Sequence, residues 1–213
     1  IIANVRIDQS PKILKMYDSN AAFERFTTNG PIAFLPIGEN EYNVVWTQSP
    51  DEAQINMALD DVAFCEALQL AFGYSAGRIT ACSKRAHYPL SLTKVERLVS
   101  PRTVLLGNTA HTVHPIAGQG FNLGLRDVQL LCDMANRSDL GDYAFTRYYC
   151  QTRSKDITTV MTLTDSLVRL FSNSSRLLAL GRSIGLFSMD LFSSLKTPLA
   201  KQLMGQVKQG KRI

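Results

Sequence analysis

The stretch that decides the fold runs His114-Pro115-Ile116-Ala117-Gly118-Gln119-Gly120-Phe121-Asn122-Leu123-Gly124-Leu125-Arg126-Asp127. A short apolar run at Thr103 to Leu106 precedes it and predicts a strand. From Gln119 to Ala135 the apolar residues recur at intervals of three or four, which predicts a helix with one packed face. The residues of that predicted face are Phe121, Leu125, Val128, Leu131 and Met134. A strand, a glycine-bearing loop and a helix form the layout in which a helix N-terminus meets an anionic group.

Four glycines of this region leave the backbone uncovered by a side chain, so that a ligand or a neighbouring segment can approach it closely. Gly107 follows the predicted strand and lets the backbone approach a neighbour closely. Gly118 and Gly120 bracket the predicted helix start and leave the first amide groups without side-chain cover, and the helix dipole adds about half a positive charge there. Gly124, one turn further on, permits close packing against another backbone or a flat ring.

Two other interpretations of these glycines compete. Gly118, Gly120 and Gly124 are spaced as GxGxxxG, whereas the dinucleotide-binding fingerprint is GxGxxG on a tight turn directly after a strand. The long loop after Leu106 excludes that fingerprint. A loop that merely connects a strand to a helix is the second interpretation, and the glycines taken alone favour it.

The residues around these glycines favour a functional site over a simple connecting loop. They fill every fixed position of H-P-[aliphatic]-[A/G]-G-Q-G-x-N-x-G-x-x-D, the signature of the UbiH-type flavin hydroxylases. The matching residues are His114, Pro115, Ile116, Ala117, Gly118, Gln119, Gly120, Asn122, Gly124 and Asp127. The chain therefore resembles this family of FAD-dependent aromatic hydroxylases of ubiquinone biosynthesis. Residues 22–36, 164–171 and 181–186 resemble further segments of the family, so the resemblance covers essentially the whole chain.

One departure from the family lies directly after Gly107. The wider class has Gly-Asp at this point, and that Asp holds the ribityl chain of FAD, whereas this chain has Asn108. An amide can still hydrogen-bond a hydroxyl group.

The resemblance implies an FAD-dependent monooxygenase that hydroxylates the phenol ring of a polyprenylated ubiquinone precursor. NADPH or NADH reduces the FAD, which reacts with molecular oxygen to a flavin hydroperoxide and transfers one oxygen atom to the ring. The flavin carries this chemistry and the protein supplies orientation and electrostatics. Because the transfer needs no side-chain acid or base, no catalytic residue is assigned. A sister hydroxylase acting at another ring position is the alternative within this class.

The resemblance also implies which residues hold the cofactor. The amides near Gly118 to Asn122 would face the pyrimidine edge of the flavin and stabilise negative charge on the reduced ring. The predicted cofactor-binding residues are Gly107, Asn108, His114, Pro115, Ala117, Gly118, Gln119, Gly120, Phe121 and Asn122. No metal site is predicted, because His111 and His114 have no carboxylate or cysteine beside them in the loop and the four cysteines form no CxxC pair.

The remaining pattern predicts an α+β fold. Residues 1–100 are predicted to form a mainly antiparallel, substrate-binding sheet domain. Residues 101–137 are predicted to be the C-terminal, strand–loop–helix part of a FAD-binding domain, and residues 138–213 a C-terminal helical region. The predicted strands are Ile1 to Ile7, Phe23 to Thr27, Ile32 to Ile37, Tyr42 to Thr47 and Arg78 to Leu92, and the predicted helices follow Ser49 and Asp60 and span Asp142 to Phe171. Together these parts correspond to a partial p-hydroxybenzoate-hydroxylase-like fold, as the resemblance implies.

The chain begins in strand-like sequence without Met and contains no strand–GxGxxG–helix unit. We therefore expect a C-terminal fragment without the nucleotide-binding unit, which alone is inactive and binds FAD weakly or not at all. The formal charge of +5 is not arranged as a basic stripe with interleaved aromatics, which argues against nucleic-acid binding.

The expected location is cytoplasmic, with peripheral contact to the inner face of the cytoplasmic membrane or to a ubiquinone-biosynthesis complex. A non-catalytic module that docks on a membrane or partner through the C-terminal helices and the basic tail, residues 196–213, is the alternative function.

Overall fold

The computed structural model of the chain describes residues 1–8, 21–113, 118–135 and 139–171. The chain divides into two units, the first built mainly from Ile1–Pro89 and the second from Leu90–Arg169. Strand pairing is antiparallel in each described sheet, and helices accompany the sheets in both units. The predicted α+β class with a mainly antiparallel sheet is confirmed.

A five-stranded antiparallel sheet organises the first unit. Its strands are β1 (Ile2–Asp8), β2 (Phe23–Thr27), β3 (Gly30–Gly38), β4 (Glu41–Trp46) and β5 (Arg78–Cys82). They lie in the order β2-β3-β4-β1-β5. The β3–β4 hairpin turns at Asn40, whose φ of 58° lies in the left-handed region that Asn tolerates in turns. The two strands predicted at Ile32 to Ile37 and Tyr42 to Thr47 are therefore confirmed, with bounds shifted by one or two residues.

Two helices follow the hairpin, α1 (Pro50–Ala58) and α2 (Asp61–Phe72). Ser49 caps α1 and forms a capping box with Glu52, and Asp60 caps α2 by accepting from the amide of Ala63. These side chains satisfy amides that have no partner inside the helix. Gly73 ends α2 with a φ of 83°.

The core of the first unit lies between the sheet and α2. Side chains on alternate strand positions point to one face, so Val5 on β1 and Phe34 on β3 are buried together with Leu68 of α2. The Phe34 ring stacks on the Phe72 ring with 3.9 Å between the centroids. The opposite face of the sheet is more exposed.

The strand predicted for Arg78 to Leu92 is only partly correct. Its regular part ends at Cys82, and of the later residues Ala86 alone makes an isolated bridge, to Ile2. β5 is an edge strand that pairs only with β1, and its regular pairing ends where Cys82 lies opposite Val5.

The second unit contains short strands and two long helices. Its strands are β6 (Thr93–Lys94), β7 (Val99–Ser100), β8 (Thr103–Val104) and β9 (His111–Thr112), and its helices are α3 (Gln119–Ala135) and α4 (Tyr143–Phe171). Strand β6 pairs with β9 and β7 with β8. The bounds of α3 are those predicted, and α4 runs as one helix with Ile157, Val160 and Thr164 buried. At 1.5 Å per residue α4 is about 43 Å long.

The packed face predicted for α3 is wrong in its first half. Phe121, Leu125 and Val128 are 79%, 55% and 44% exposed. The buried face is a neighbouring stripe, with Gln119, Leu123, Asp127, Leu130 and Met134. Both stripes have helical spacing, and the buried one was overlooked because a glutamine and an aspartate interrupt its apolar residues.

Among the described residues, no helix combines the length and apolarity that crossing a membrane requires. The basic tail, residues 196–213, and the segment 181–186 lie outside the described residues.

Candidate functional site

A tight turn follows the short strand β8 and begins the candidate site. Gly107 to Thr109 form one turn of 3-10 helix, and Gly107 has a φ of 57°, which favours glycine. Thr109 closes the turn by donating its hydroxyl to the carbonyl of Leu106 at 2.6 Å. The Tyr149 hydroxyl donates to the carbonyl of Leu105 at 2.8 Å and so ties the turn to α4.

A buried carboxylate on α3 accepts a hydrogen bond from this turn. Asp127 is fully buried and its Oδ2 accepts from the Gly107 amide at 2.8 Å and from His111 Nε2 at 3.0 Å. Its Oδ1 accepts from Nε of Arg153 at 2.5 Å. One carboxylate therefore links the turn, strand β9, α3 and α4.

Further charged groups extend from this carboxylate along α4. Arg153 is itself fully buried and donates to Asp156 at 2.5 Å and to the carbonyl of Leu123 at 3.2 Å. Arg126 donates to Asp156 at 3.0 Å. Two arginines and two aspartates thus neutralise each other, as buried charges require. We call Asp127, Arg153, Asp156, Arg126 and His111 the buried charge network.

The buried charge network keeps the carboxyl group of Asp127 ionised. Burial by itself raises the pKa of Asp127, but the hydrogen bonds from His111 and Gly107 and the charge of Arg153 outweigh it and hold that pKa below its usual range. An ionised carboxylate only accepts hydrogen bonds, so His111 Nε2 carries a proton. Burial and then the Asp127 charge raise the pKa of Tyr149, which keeps its hydroxyl as a donor.

The lowered pKa of Asp127 predicts a contribution to stability that depends on pH. Because the folded pKa is depressed, the contribution is present above the ordinary carboxyl value of 3.8 and is lost as pH falls through the folded pKa. We expect the difference in free energy of unfolding between the wild type and Asp127→Asn to be constant near neutrality and to shrink below that value. Urea unfolding from neutral to acidic pH measures it. A difference that grows on acidification would contradict the assignment.

The start of α3 faces the same turn. Gly118 has a φ of 60°, and a Cβ atom added there or at Gly107 would meet no described atom within 4 Å. By contrast, a Cβ atom on Gly124 would lie 3.5 Å from Cα of Gly107, so the helix and the turn pack backbone to backbone. The predicted close packing at Gly124 is therefore confirmed for the backbone.

The predicted cofactor-binding residues fall into two described groups. Gly107 and Asn108 lie in the turn, and residues 118–122 form the beginning of α3. Asn108 is exposed, Gln119 is buried and Phe121 projects outward. His114, Pro115 and Ala117 lie outside the described residues. Their role in binding a cofactor stays a prediction.

Sequence reasoning missed Arg153. It lies 26 residues beyond Asp127 on a different helix, at a separation that no local rule covers. One signal was available, since Arg153 stands in register with Tyr149, Ile157 and Val160 on the buried face of α4. A cation in the middle of an apolar helical face requires a buried anion as its partner.

Known families and relatives are similar to this chain over most of its length. The chain matches the family described as FAD binding domain over residues 3–135, and the family described as squalene epoxidase over residues 87–187. It is 37% identical to the ubiquinone hydroxylase UbiL of Rhodospirillum rubrum over 194 residues, which are 89% of this chain and 45% of the relative. It is 30% identical to the mitochondrial ubiquinone biosynthesis monooxygenase COQ6 of Homo sapiens, covering 89% of this chain and 50% of the relative. The chain spans about half the length of the curated relatives it matches.

Solved structures share the fold at low sequence identity. HpxO of Klebsiella pneumoniae complexed with FAD superposes with a TM-score of 0.62 and 14% identity, over 98% of this chain and 55% of that one. PqsL of Pseudomonas aeruginosa, a probable FAD-dependent monooxygenase, gives a TM-score of 0.56 and 20% identity, over 81% of this chain and 48% of that one. These similarities confirm the fold class, the p-hydroxybenzoate-hydroxylase-like fold of FAD-dependent monooxygenases.

Proposed function

We propose a function from the premise that this chain belongs to the FAD binding domain family, which matches more than half of its 213 residues. The proposed function is that of an FAD-dependent monooxygenase which hydroxylates the phenol ring of a polyprenylated ubiquinone precursor. The names of the relatives from Rhodospirillum rubrum and Homo sapiens support this substrate class. Molecular oxygen is the second substrate, and NADPH or NADH is the reductant.

The proposal rests on Gly107 and Gly118, where the backbone has no side chain and, among the described residues, open space lies beside it. Both glycines adopt a positive φ, and the described atoms leave open the space that their Cβ atoms would occupy. The open space adjoins the N-terminus of a 17-residue helix, where amides and the helix dipole favour negative charge. A flat ring with an electron-rich edge, such as the flavin of FAD, fits this combination.

In this proposal each group of residues has one task. The amides of residues 118–122 would hold the pyrimidine edge of the flavin, Asn108 would hydrogen-bond the ribityl chain, and His114 and Pro115 would lie along the ring. Bound FAD supplies the redox chemistry and the activation of oxygen. The buried charge network keeps the Gly107 amide and the start of α3 at a fixed separation, so both parts of the site are ordered before the cofactor arrives.

The exposed face of the sheet is the proposed substrate surface. The strand register places Asn4, Asn43 and Leu35 side by side in one row and Ile2, Val45 and Ala33 in the next. The amide of Asn43 already donates to Asn4 Oδ1 at 2.8 Å. Adjacent amide and aliphatic side chains suit a molecule with a hydroxylated ring and an apolar tail. We therefore propose that residues 1–100 bind the substrate and that residues 101–137 contribute to the binding of FAD.

Paired substitutions of Asn108 test the cofactor site. In the protein produced from the gene that encodes this chain, we expect Asn108→Leu to weaken FAD binding about 2- to 10-fold, because one hydrogen bond to the ribityl chain is lost. Asn108→Asp restores an acceptor of nearly the same shape and should bind FAD at least as tightly as the wild type. Flavin absorbance against total protein, with circular dichroism as the control for folding, measures both.

A chain of 213 residues alone serves as the reference in that experiment. We propose that it binds FAD weakly and is inactive, since its sequence contains no GxGxxG unit for the dinucleotide and its matched relatives are about twice as long. A stoichiometric flavin absorbance in this sample would contradict that proposal. Equal flavin content in Asn108→Leu and the wild type would contradict the role of Asn108.

Complementation tests the reaction itself. The gene that encodes this chain is introduced into strains blocked at each ubiquinone hydroxylation, and the accumulated quinone precursor is identified. The resemblance of residues 164–171 and 181–186 to the UbiH C-terminal region favours rescue of the 2-octaprenyl-6-methoxyphenol step. Rescue at a different step would identify a sister hydroxylase, and rescue at none would contradict the proposed activity.

A further inference from the structure

A cavity of about 510 Å³ lies beside the first turns of α4 and shares no residue with the candidate flavin site. Its wall consists of the β7–β8 hairpin on one side and residues between Gly141 and Gln151 on the other. This volume falls within the range of small-molecule sites, which are mainly apolar with a few polar groups.

The wall of the cavity is largely apolar. Val99 and Pro101 contribute from the hairpin, and Tyr143 and Cys150 from the helix. Tyr143 is 75% exposed, and its neighbour Leu140 is 54% exposed. Large apolar side chains that stand exposed together around a concave surface mark a place where a ligand or partner binds.

The charges at the cavity are positive. Among the described residues, Arg102 and Arg147 line it, and no aspartate or glutamate does. Arg102 is held by Asp139 at 3.3 Å and by the carbonyl of Leu140 at 3.0 Å. Arg147 stands 5.9 Å from the centre of the Tyr143 ring, and no carboxylate of the described residues forms an ion pair with it. Arg147 therefore offers a positive charge at the edge of an apolar wall.

We propose that this cavity binds an anionic amphiphile, with the apolar chain between the hairpin and α4 and the acidic head on Arg147. A neutral apolar ligand would contact the apolar wall but would leave the positive charge of Arg147 without a counter-charge. A small hydrophilic anion would leave the apolar wall in water. A fatty acid and an acidic phospholipid share the required chemistry. This inference does not depend on the proposed oxygenase function.

A dansyl-labelled undecanoic acid and its methyl ester are the probes for this proposal, titrated into the 213-residue chain and followed by fluorescence. We expect saturable, one-to-one binding of the acid and weaker binding of the ester. Arg147→Gln and Gln151→Glu should each weaken binding of the acid roughly three- to fivefold, the size expected for an exposed charge interaction. Lys155→Gln, an equal charge change about two turns further along the exposed side of α4, should leave binding unchanged.

Thermal unfolding of each variant confirms that these exposed helix positions tolerate the changes. Competition then identifies the source of the ligand: displacement by laurate supports a fatty acid, and displacement by phosphatidylglycerol vesicles supports a bilayer lipid. Equal binding of acid and ester, equal displacement by neutral phosphatidylcholine vesicles, an equal loss in Lys155→Gln, or no saturable binding would each overturn the proposal.

Discussion

Replacement of Asp127 by alanine is expected to lower the free energy of unfolding by about 3–5 kcal/mol, the cost of breaking a buried ion pair by removing one of its members. The variant removes the acceptor from the Arg153 guanidinium, from His111 Nε2 and from the Gly107 amide at once. Two of these donors, Arg153 and His111, gain no access to water by a small movement, since their residues are at most 2% exposed. Chemical denaturation of the 213-residue chain measures the loss.

Asp139→Ala is the matched control for this variant. It removes the same side chain from an ion pair with Arg102 in which both partners are about two-thirds exposed. Exposed pairs contribute at most about 1 kcal/mol, so the control should unfold at nearly the wild-type denaturant concentration. If Asp127→Ala also stayed within 1 kcal/mol of the wild type, the buried charge network would have no structural role.

A double-mutant cycle separates the contact between Asp127 and Arg153 from other effects of the two substitutions. Arg153→Met alone leaves the Asp127 carboxylate buried with fewer donors, and the double variant with Asp127→Asn removes both charges. Because the two residues share one hydrogen bond, the double variant should cost less than the sum of the single variants.

Local sequence rules were sufficient for most helices and strands. The bounds of α3 and of β2 are those predicted, and the capping box of Ser49 and Glu52 forms as its spacing indicates. These features depend on residues within four positions of each other, so periodicity and capping rules contain the necessary information.

Contacts between distant residues were not predictable in the same way. The strands β6 and β9 are distant in sequence. Each contributes only two residues to their pairing, which are too few to produce an alternating pattern. The ion pair between Asp127 and Arg153 joins two helices whose sequences show only an unusual polar residue on each buried face. Such residues signal that a partner exists, but their spacing in sequence does not identify it.

The candidate site shows the same division. The glycines and the helix start were predictable because backbone conformation is encoded locally, and Gly107 and Gly118 adopt the positive φ that glycine permits. The contacts that hold these glycines in place were not predictable, since His111, Asp127 and Arg153 come from three elements. Sequence reasoning therefore predicted the glycine backbone at this surface but not the contacts of His111 and Arg153 with Asp127.

Two phenylalanines give the second large prediction. Phe34→Ala is expected to lower the free energy of unfolding by about 3–5 kcal/mol, because a fully buried ring leaves a cavity against Phe72 and Tyr42. Phe121→Ala removes the same atoms from a side chain that is 79% exposed and should change stability by no more than about 0.5 kcal/mol. Urea unfolding of both variants of the 213-residue chain provides the comparison.

The Phe121→Ala variant tests which of the two stripes on α3 faces the core, and Phe34→Ala, in the first unit, gives the loss expected for a fully buried phenylalanine. Periodicity assigned Phe121 to the packed face, whereas the structure buries the stripe that contains Leu123 and Asp127. A loss of several kcal/mol in Phe121→Ala would restore the first assignment and remove Asp127 from the interior. A change of no more than about 0.5 kcal/mol in Phe121→Ala would support the inward position of the stripe with Leu123 and Asp127, because a helix of this width cannot bury both stripes against one neighbour.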